Sequence, residues 1–577
     1  MGGSSSRPGG SVGSGAGAGE FGARPVGMRR GWRWLGMARL AAAFGLVAAV
    51  RGGVPAAGAQ AAPDSTDRVL LAVVDAALET ANRAPWPGYD AGARSVVVYR
   101  AGRWAILVNP PAGAPAAGWL RYPAAWPALP RRAWLDPDGD PGLIGQLGFD
   151  YEAPGGLVVA IPLDEALVSG YGARSGAALF SFLVHEAFHQ FQRGRFADVE
   201  TPSEEQYPML DAVNNAFAAL EFLALRDAVR ALGQGDGAGA KEAARVAMAV
   251  HAERWDRLDE VARGIERSKE VVEGTAKYVE TRFVSSFAGL CRSGAVERLG
   301  SLCRSFEGLD AATWLADDFD RRLTGGAIAP ADMARNRIYP VAAAVALLLD
   351  EYEPAWKTEV EREGTSRGLF AHLDAVLGVG AVERAELLEG ARTRHGWPDL
   401  LASSEARVRE YVDGFERAMS AFEAKGGVRV VMRVPTSGVS RSRQSRAERW
   451  VVDAGRRTLG RFVAWTLRRR ADPALELRLE NLTVLDELGD DGRRTVTAHV
   501  PAPVAVTVDG ERLPAGFAGT RGFDSIAVEA AGTVLRAAVS GSLTVRSGVV
   551  RIDLGGTERD ERESPRVTGS GRSERRT

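Results

Sequence analysis

The chain has 577 residues, of which 45% are hydrophobic and 25% are charged, and its formal net charge at pH 7 is −1. This length and composition suit a globular protein of two or three domains, so core size is not limiting. The balanced charge, without a stripe of Lys and Arg interleaved with aromatic residues, disfavours nucleic-acid binding.

Residues 1–63 are predicted to be a disordered leader and a signal peptide. Residues 2–22 are rich in Gly, Ser and Ala, and Met28 is an alternative start to Met1. Four arginines then precede an apolar run of eleven residues, and small-residue cleavage sites follow it. Because so short a run does not span a bilayer, we expect an exported protein, periplasmic or secreted, with no stable membrane span after cleavage. An uncleaved N-terminal anchor is the alternative.

An N-terminal α+β subdomain is predicted for residues 64–160. Its first helix is expected at 66–82, followed by two strands that a Gly-containing hairpin joins, at 95–99 and 104–108. A further apolar strand at 156–161 comes directly before the next helix. This strand is expected either to form a sheet edge, to which an extended peptide could add, or to be an ordinary buried strand.

The segment His185-Glu186-Ala187-Phe188-His189 is an HExxH motif inside a run that predicts a helix. Residues four apart lie about one turn apart on the same helix face, so both imidazoles can bind one zinc ion. Glu186 lies about 100° further round the helix and can act as a general base toward a water molecule. Apolar residues before the motif predict a buried setting, where such side chains need partners. The alternative is a pair of histidines that bind no metal.

A third ligand must come from elsewhere, because a catalytic zinc ion takes three protein ligands and keeps one position open. The HExxHxxGxxH pattern is excluded, since Gln192 and Arg195 stand at its glycine and third-histidine positions. Glu273 is the predicted ligand because of the glycine that follows it. Gly274 costs about 1 kcal/mol in a helix interior, and close packing of this segment against the HExxH helix would explain why a glycine is tolerated there. Candidates without distinctive surroundings are Asp198, Glu200, Glu204, Glu205, Asp211 and Glu221.

Supporting roles are predicted for three further side chains. Glu280 lies two turns after Glu273 on the same helix face and could orient one imidazole, although a solvated Glu/Lys stripe is the alternative. Hydrolysis of an amide also needs a donor for the developing oxyanion, and Tyr339 or Arg337 could serve at the entrance of an apolar helix. Packing or capping is the alternative role for both residues.

The segments HEAFHQFQ and EGTAKYVE resemble the gluzincin group of zinc metallopeptidases, in which a glutamate on a later helix completes the HExxH site. The resemblance covers roughly residues 64 to 425. It implies a zincin-like fold, one zinc ion held by His185, His189 and Glu273, and hydrolysis of peptide bonds. In the thermolysin-like branch an aspartate follows the third ligand by four residues, whereas Lys277 stands there in this chain, so the branch is not assigned.

The C-terminal part is predicted to change to all-β structure. Residues 161–426 are expected to form the helical zinc-binding domain and 427–556 an accessory module of short strands, similar to a β-sandwich, with a turn at Asp509-Gly510. The module could bind carbohydrate or a protein partner, or only pack on the catalytic domain. Residues 557–577, rich in Arg, Glu and Ser, are predicted to be a disordered tail.

The two cysteines, Cys291 and Cys303, lie twelve residues apart. In an oxidising compartment they could pair and close a short loop, and two buried thiols are the alternative.

Taken together, these patterns predict an α+β, zincin-like and mostly helical domain with a small N-terminal sheet, in an exported zinc metallopeptidase that acts on a peptide or protein substrate. Two alternatives belong to other functional classes. One is a non-catalytic, zinc-stabilised envelope scaffold, and the other is an exported binding protein that acts through its β-module.

Overall fold

The computed structural model describes residues 63–555 apart from gaps at 80–84, 101, 111–118, 125, 128, 130–131, 138, 140–149, 154–155, 164–171, 198–202, 297–298, 437–438 and 470–474. The predicted leader, signal peptide and alternative start at Met28 lie outside the described residues. So do the predicted tail and two of the candidate ligands, Asp198 and Glu200.

A mixed six-stranded sheet forms in the N-terminal part, in the order β3-β4-β2-β1-β6-β5. Its strands are β1 (Val96–Arg100), β2 (Trp104–Val108), β3 (Leu120–Arg121), β4 (Ala133–Asp136), β5 (Asp150–Ala153) and β6 (Gly156–Pro162). The predicted hairpin is confirmed, because β1 and β2 pair in antiparallel fashion. The expectation that β6 forms the sheet edge is wrong: β6 pairs with β1 on one side and β5 on the other, so it is the buried strand of the alternative interpretation.

Helices build the central part of the described chain. They are α1 (Ser65–Glu79), α2 (Ser175–Gln192), α3 (Ala212–Gly233), α4 (Gly237–Arg257), α5 (Glu260–Lys269), α6 (Thr275–Arg292), α7 (Gly300–Cys303), α8 (Ala311–Arg322), α9 (Pro330–Met333), α10 (Ile338–Tyr352), α11 (Trp356–Glu363), α12 (Leu369–Leu377), α13 (Ala381–Arg394) and α14 (Trp397–Glu423). Aspartates cap several of them, since the carboxylates of Asp211, Asp236 and Asp259 accept backbone N–H groups at the starts of α3, α4 and α5. No helix within these described ranges has the length and apolar character that a membrane crossing requires.

Helix α10 is the centre of the helical core. Its residues from Ile338 to Leu349 are all buried, as expected for a helix that is apolar on every side. It packs against α6, α12 and the turn that precedes α6, while α2 packs against α1 and α6. One continuous hydrophobic cluster joins these helices to the N-terminal sheet. Helix α2, which carries the HExxH motif, and the segment around Glu273 before α6 are therefore neighbours in one core.

Cys291 and Cys303 form a disulfide between the end of α6 and α7, with their Cα atoms 5.5 Å apart. The cysteines are therefore paired, and the alternative of two buried thiols is wrong.

The C-terminal part is one continuous sheet of twelve strands that curls into a half-barrel. The strands are β7 (Val428–Val434), β8 (Ser440–Val452), β9 (Arg457–Arg469), β10 (Leu475–Leu488), β11 (Arg494–Val500), β12 (Ala505–Val508), β13 (Glu511–Arg512), β14 (Gly519–Phe523), β15 (Ile526–Ala530), β16 (Thr533–Ala537), β17 (Gly541–Arg546) and β18 (Val549–Leu554). The sheet has its own buried core, and α14 packs against β8 and β9. The predicted α+β class and the change to β structure after residue 426 are confirmed, with a single curled sheet in place of a two-sheet sandwich.

Candidate metal centre

The HExxH motif occupies the C-terminal half of α2. The helix buries Phe180, Val184 and Phe188 in the core, which fixes its rotation about its own axis. His185 and His189 then project on the same side, and their ring centroids lie 4.8 Å apart. His185 is buried, whereas 17% of the His189 side chain is exposed. The two imidazoles therefore lie at the boundary between the core and a solvent-accessible surface.

Glu273 approaches both imidazoles with the same carboxylate oxygen. Its Oε2 atom lies 3.4 Å from Nε2 of His185 and 3.3 Å from Nε2 of His189. These separations are long for charge-assisted hydrogen bonds, and the buried Oε2 atom has no hydrogen-bond partner. Zinc bonds of about 2.0–2.2 Å in a tetrahedron place neighbouring ligand atoms about 3.3–3.6 Å apart. Both separations from Glu273 fit the spacing between ligand atoms of one zinc ion.

A π-helical turn brings Glu273 to this position. Residues Glu270–Gly274 form the turn between α5 and α6, and such turns are frequent at functional sites. Gly274 has ordinary helical dihedral angles, but a Cβ atom added to it would collide with Cβ of Ala342 in α10. The close approach that Gly274 permits is therefore to α10, which corrects the expectation that it would face the metal helix.

The other nitrogen of each imidazole has an acceptor of its own. Nδ1 of His185 lies 3.1 Å from Oε2 of Glu280, and Nδ1 of His189 lies 2.6 Å from Oε1 of Gln192. Each Nδ1–H can donate to its neighbour, which leaves each Nε2 lone pair facing Glu273. This is the tautomer that a metal ion on Nε2 requires.

Sequence reasoning missed Gln192. Its amide Nε2 donates to the carbonyl oxygen of Val272 and to the hydroxyl of Thr275, both at 2.8 Å, so the residue connects α2 to the turn that carries Glu273. The spacing of three residues after His189 was the available signal, because residues three apart are neighbours on a helix.

Glu280 belongs to a buried charged chain and not to a solvated stripe. It forms an ion pair with Lys277, and its Oε1 atom accepts a hydrogen bond of 3.3 Å from the indole of Trp314. Lys277 is also buried and lies 3.3 Å from Asp318, which Arg322 contacts at 2.9 Å. Lys277, the residue that departs from the thermolysin-like pattern, thus compensates the carboxylate that contacts His185.

Electrostatics favour a cation between the imidazoles and the carboxylates. Burial opposes a charged ring, yet Glu273 and Glu280 raise the pKa of His185 to about 9. Burial likewise favours a neutral Glu273, yet the two imidazoles and Arg335 hold the pKa of its carboxyl well below the usual range. Burial raises the pKa of Glu186, against the effect of the neighbouring histidines. Glu186 is half-buried, and its ligand atom lies within 4.8 Å of those of His185 and His189.

Two donors lie next to Glu273, of which only one was predicted. The ring of Tyr339 stacks against that of His185, with centroids 5.5 Å apart. Arg335, which sequence reasoning missed, donates to the Tyr339 hydroxyl at 3.0 Å and to Oε1 of Glu273 at 3.1 Å. Its side chain is 48% exposed, so part of it contacts solvent.

Arg337 is placed in a different environment. Its guanidinium group is fully buried and contacts Glu221 at 3.2 Å and Glu266 at 2.6 Å. Arg254 and His251 complete this buried network. The structure corrects the prediction that Arg337 could serve an oxyanion, because the buried carboxylates of the network occupy its donors.

The remaining candidate ligands have other partners or positions. Glu204 contacts Lys269 at 2.7 Å, Asp211 caps α3, and Glu221 belongs to the buried network around Arg337. Glu205 is buried beside Gly455, at the contact with the C-terminal sheet. Among the candidate ligands that the structure describes, Glu273 is thus the one placed against both imidazoles.

Comparison with protein-family models, with curated proteins and with solved structures finds no match for this chain.

Proposed function

We propose that the protein is an exported zinc metallopeptidase with a zincin-like catalytic domain of the gluzincin type. The observation that carries the proposal is the position of the unpartnered Oε2 atom of Glu273, which lies 3.4 Å from Nε2 of His185 and 3.3 Å from Nε2 of His189. The order of these residues along the chain is the one that the HExxH and EGTAKYVE resemblance implies. The donor set of two imidazoles and one carboxylate is that of a catalytic zinc site, which keeps a fourth position open.

Each protein side chain then has a defined task. When bound by His185, His189 and Glu273, zinc supplies a Lewis acid that makes water acidic near neutral pH and polarises a substrate carbonyl. Glu186 takes the proton of the attacking water and delivers it to the leaving amine, a task to which its raised pKa is suited. Arg335 or Tyr339 donates to the oxygen on which negative charge develops.

Two residues keep the ligands in position during this cycle. Glu280 and Gln192 hold the Nδ1 atoms, so that neither ring can rotate away from Glu273. The Cys291–Cys303 disulfide supports the proposed export, because disulfides persist mainly in oxidising compartments.

Two substitutions test the proposal, with Glu242→Gln on an exposed surface as the matched control. We expect Glu186→Gln to retain the metal content of the wild type while peptide hydrolysis falls by about 10²–10⁴-fold, because only the general base is lost. Glu273→Ala should lose zinc itself. Metal content by mass spectrometry and cleavage of a diverse peptide library provide the two measurements.

The possible failures point to different alternatives. Hydrolysis that persists in purified Glu186→Gln would remove the general-base assignment. Stoichiometric zinc in the wild type without cleavage of any peptide would favour the envelope scaffold. A wild type that binds no zinc would favour a binding protein that acts through its β-module.

A further inference from the structure

A second cluster of ligand-type side chains lies where α10, α11 and α12 meet. Glu353 directly follows α10, Glu359 and Glu363 lie on α11, and His372 lies on α12. His372 is completely buried, yet neither of its ring nitrogens has a hydrogen-bond partner. Burying a polar ring without partners costs free energy, so this arrangement needs an explanation.

The carboxylates surround both nitrogens of the ring. Oε2 of Glu359 lies 3.5 Å from Nδ1 of His372, and Oε2 of Glu353 lies 3.9 Å from the same nitrogen. Oε2 of Glu363 lies 3.5 Å from Nε2. These separations exceed normal hydrogen-bond lengths. The 3.5 Å between Glu359 and Nδ1 falls within the spacing of about 3.3–3.6 Å between tetrahedral ligand atoms with bonds of about 2.0–2.2 Å, whereas the 3.9 Å to Glu353 is longer. The ligand atoms of Glu353, Glu359 and His372 all lie within 4.8 Å of one another.

The cluster carries negative charge that the protein does not fully compensate. Arg367 lies 4.0 Å from Glu359 and 3.7 Å from Glu363, and Arg362 contacts the other carboxylate oxygen of Glu363 at 2.9 Å. The Oε2 atoms of Glu353 and Glu363 are buried without hydrogen-bond partners.

We propose that Glu353, Glu359 and Nδ1 of His372 bind a second divalent cation, and that Glu363 orients the imidazole through Nε2. Carboxylates with one imidazole suit Mn²⁺ or Zn²⁺, since imidazole ligands favour transition metals over Ca²⁺ and Mg²⁺. This inference is independent of the proposed peptidase activity, because none of these residues belongs to the HExxH site.

The position of the cluster suggests what the cation would stabilise. Glu361 of α11 accepts a hydrogen bond of 2.8 Å from the indole of Trp86, and the Trp86 ring packs 5.3 Å from that of Phe188 in the HExxH helix. An ion that joins α10, α11 and α12 would therefore stabilise two helices next to the HExxH site: α10, which carries Tyr339, and α11, which contacts Trp86. Its role is structural.

Metal counting on the full-length chain tests the proposal. The wild type and variants are stripped with a chelator, reloaded with Zn²⁺ or Mn²⁺, desalted and analysed for metal per chain. We expect two ions in the wild type, one in His189→Ala, one in Glu359→Gln and none in the double variant. Glu351→Gln, an exposed glutamate of α10, is the matched control and should keep two ions.

A second measurement guards against misfolded variants. Because the Glu359 side chain is 36% exposed, Glu359→Gln should keep the native circular dichroism spectrum. Added Mn²⁺ should raise the melting temperature of His189→Ala but not that of the double variant. The proposal is overturned if the wild type holds one ion that His189→Ala loses, or if Glu359→Gln loses none. One ion that survives His189→Ala but not Glu359→Gln would keep this site and refute the peptidase site.

Discussion

The contact between Gly274 and Ala342 allows a stability prediction that does not depend on function. Alanine at position 274 would place its methyl carbon well inside 3.0 Å of the Ala342 methyl carbon, whereas carbon atoms in contact prefer about 3.5–4.0 Å. Overpacking of this kind costs about 1–3 kcal/mol, and the higher helix propensity of alanine returns about 1 kcal/mol. We expect Gly274→Ala to lower the free energy of unfolding by up to about 2 kcal/mol.

Adding the reverse substitution in α10, Ala342→Gly, gives a double-mutant cycle that tests this contact. Ala342→Gly alone should cost about 1 kcal/mol through helix propensity. In the double variant the new methyl group faces a glycine, and the nearest remaining atoms are the Cα atom at 3.4 Å and the carbonyl carbon at 3.7 Å. The double variant should therefore approach wild-type stability, which corresponds to a coupling of about 1–3 kcal/mol, the overpacking cost itself.

Urea unfolding of the four proteins, followed by circular dichroism, measures this coupling. Zinc affinity is a second readout, because Glu273 precedes Gly274 and a displaced backbone would move its carboxylate away from bonds of about 2 Å. Affinity should fall in Gly274→Ala and recover in the double variant. If the two stability changes add to within about 0.5 kcal/mol, the proposed contact between the π-turn and α10 is refuted.

Three further predictions concern the surroundings of the site. Gln192→Ala should weaken zinc binding by about 10–100-fold in a chelator competition, because Nδ1 of His189 loses its acceptor, and unchanged affinity would contradict that role. Burial and the charge of a neighbouring carboxylate raise the pKa of Glu270 from its ordinary value of 4.5 to about 8, so the stability that this group contributes is greatest below pH 4.5 and is lost as the pH rises to 8. Glu270→Gln should therefore stabilise the protein by a few kcal/mol above about pH 8 and have little effect below about pH 4.5, and equal effects at both pH values would refute the buried carboxyl. Replacing Cys291 and Cys303 by serine should lower stability by up to about 3 kcal/mol, and a reducing agent should destabilise the wild type but not this variant.

The local part of the site could be predicted from the sequence. One helical turn separates His185 from His189, so their shared direction follows from the helix alone. The choice of Glu273 used a second local signal, a glycine tolerated inside a helical run. The position of Glu273 beside both Nε2 atoms agrees with that choice. The alternation of apolar and polar residues in strands predicted the β1–β2 hairpin and the change to strands after residue 426.

What could not be predicted depends on contacts between distant segments. The sequence showed that Gly274 needs a close neighbour, but only the packing of α10 shows that the neighbour is Ala342. Arg335 and Arg337 are two residues apart, directly before α10, but their side chains point in different directions. The guanidinium group of Arg335 contacts Glu273, whereas that of Arg337 lies in a buried network with Glu221. Strand β6 was assigned correctly as a strand, while its interior position depends on β5, whose pairing no local pattern encodes.

The exposure of the site argues for the peptidase over the scaffold alternative. A structural zinc ion is usually enclosed by four protein ligands, whereas a catalytic one keeps a position open to solvent and substrate. Here His185 and Glu273 are buried, while His189 is partly exposed and Arg335 lies half in solvent beside the Glu273 carboxylate. A scaffold needs neither an arginine side chain that is 48% exposed beside Glu273 nor a carboxyl group with a raised pKa next to the imidazoles. Both features have a task if a peptide carbonyl enters from the side of His189 and Arg335, and Arg335→Ala should then reduce turnover more than zinc content.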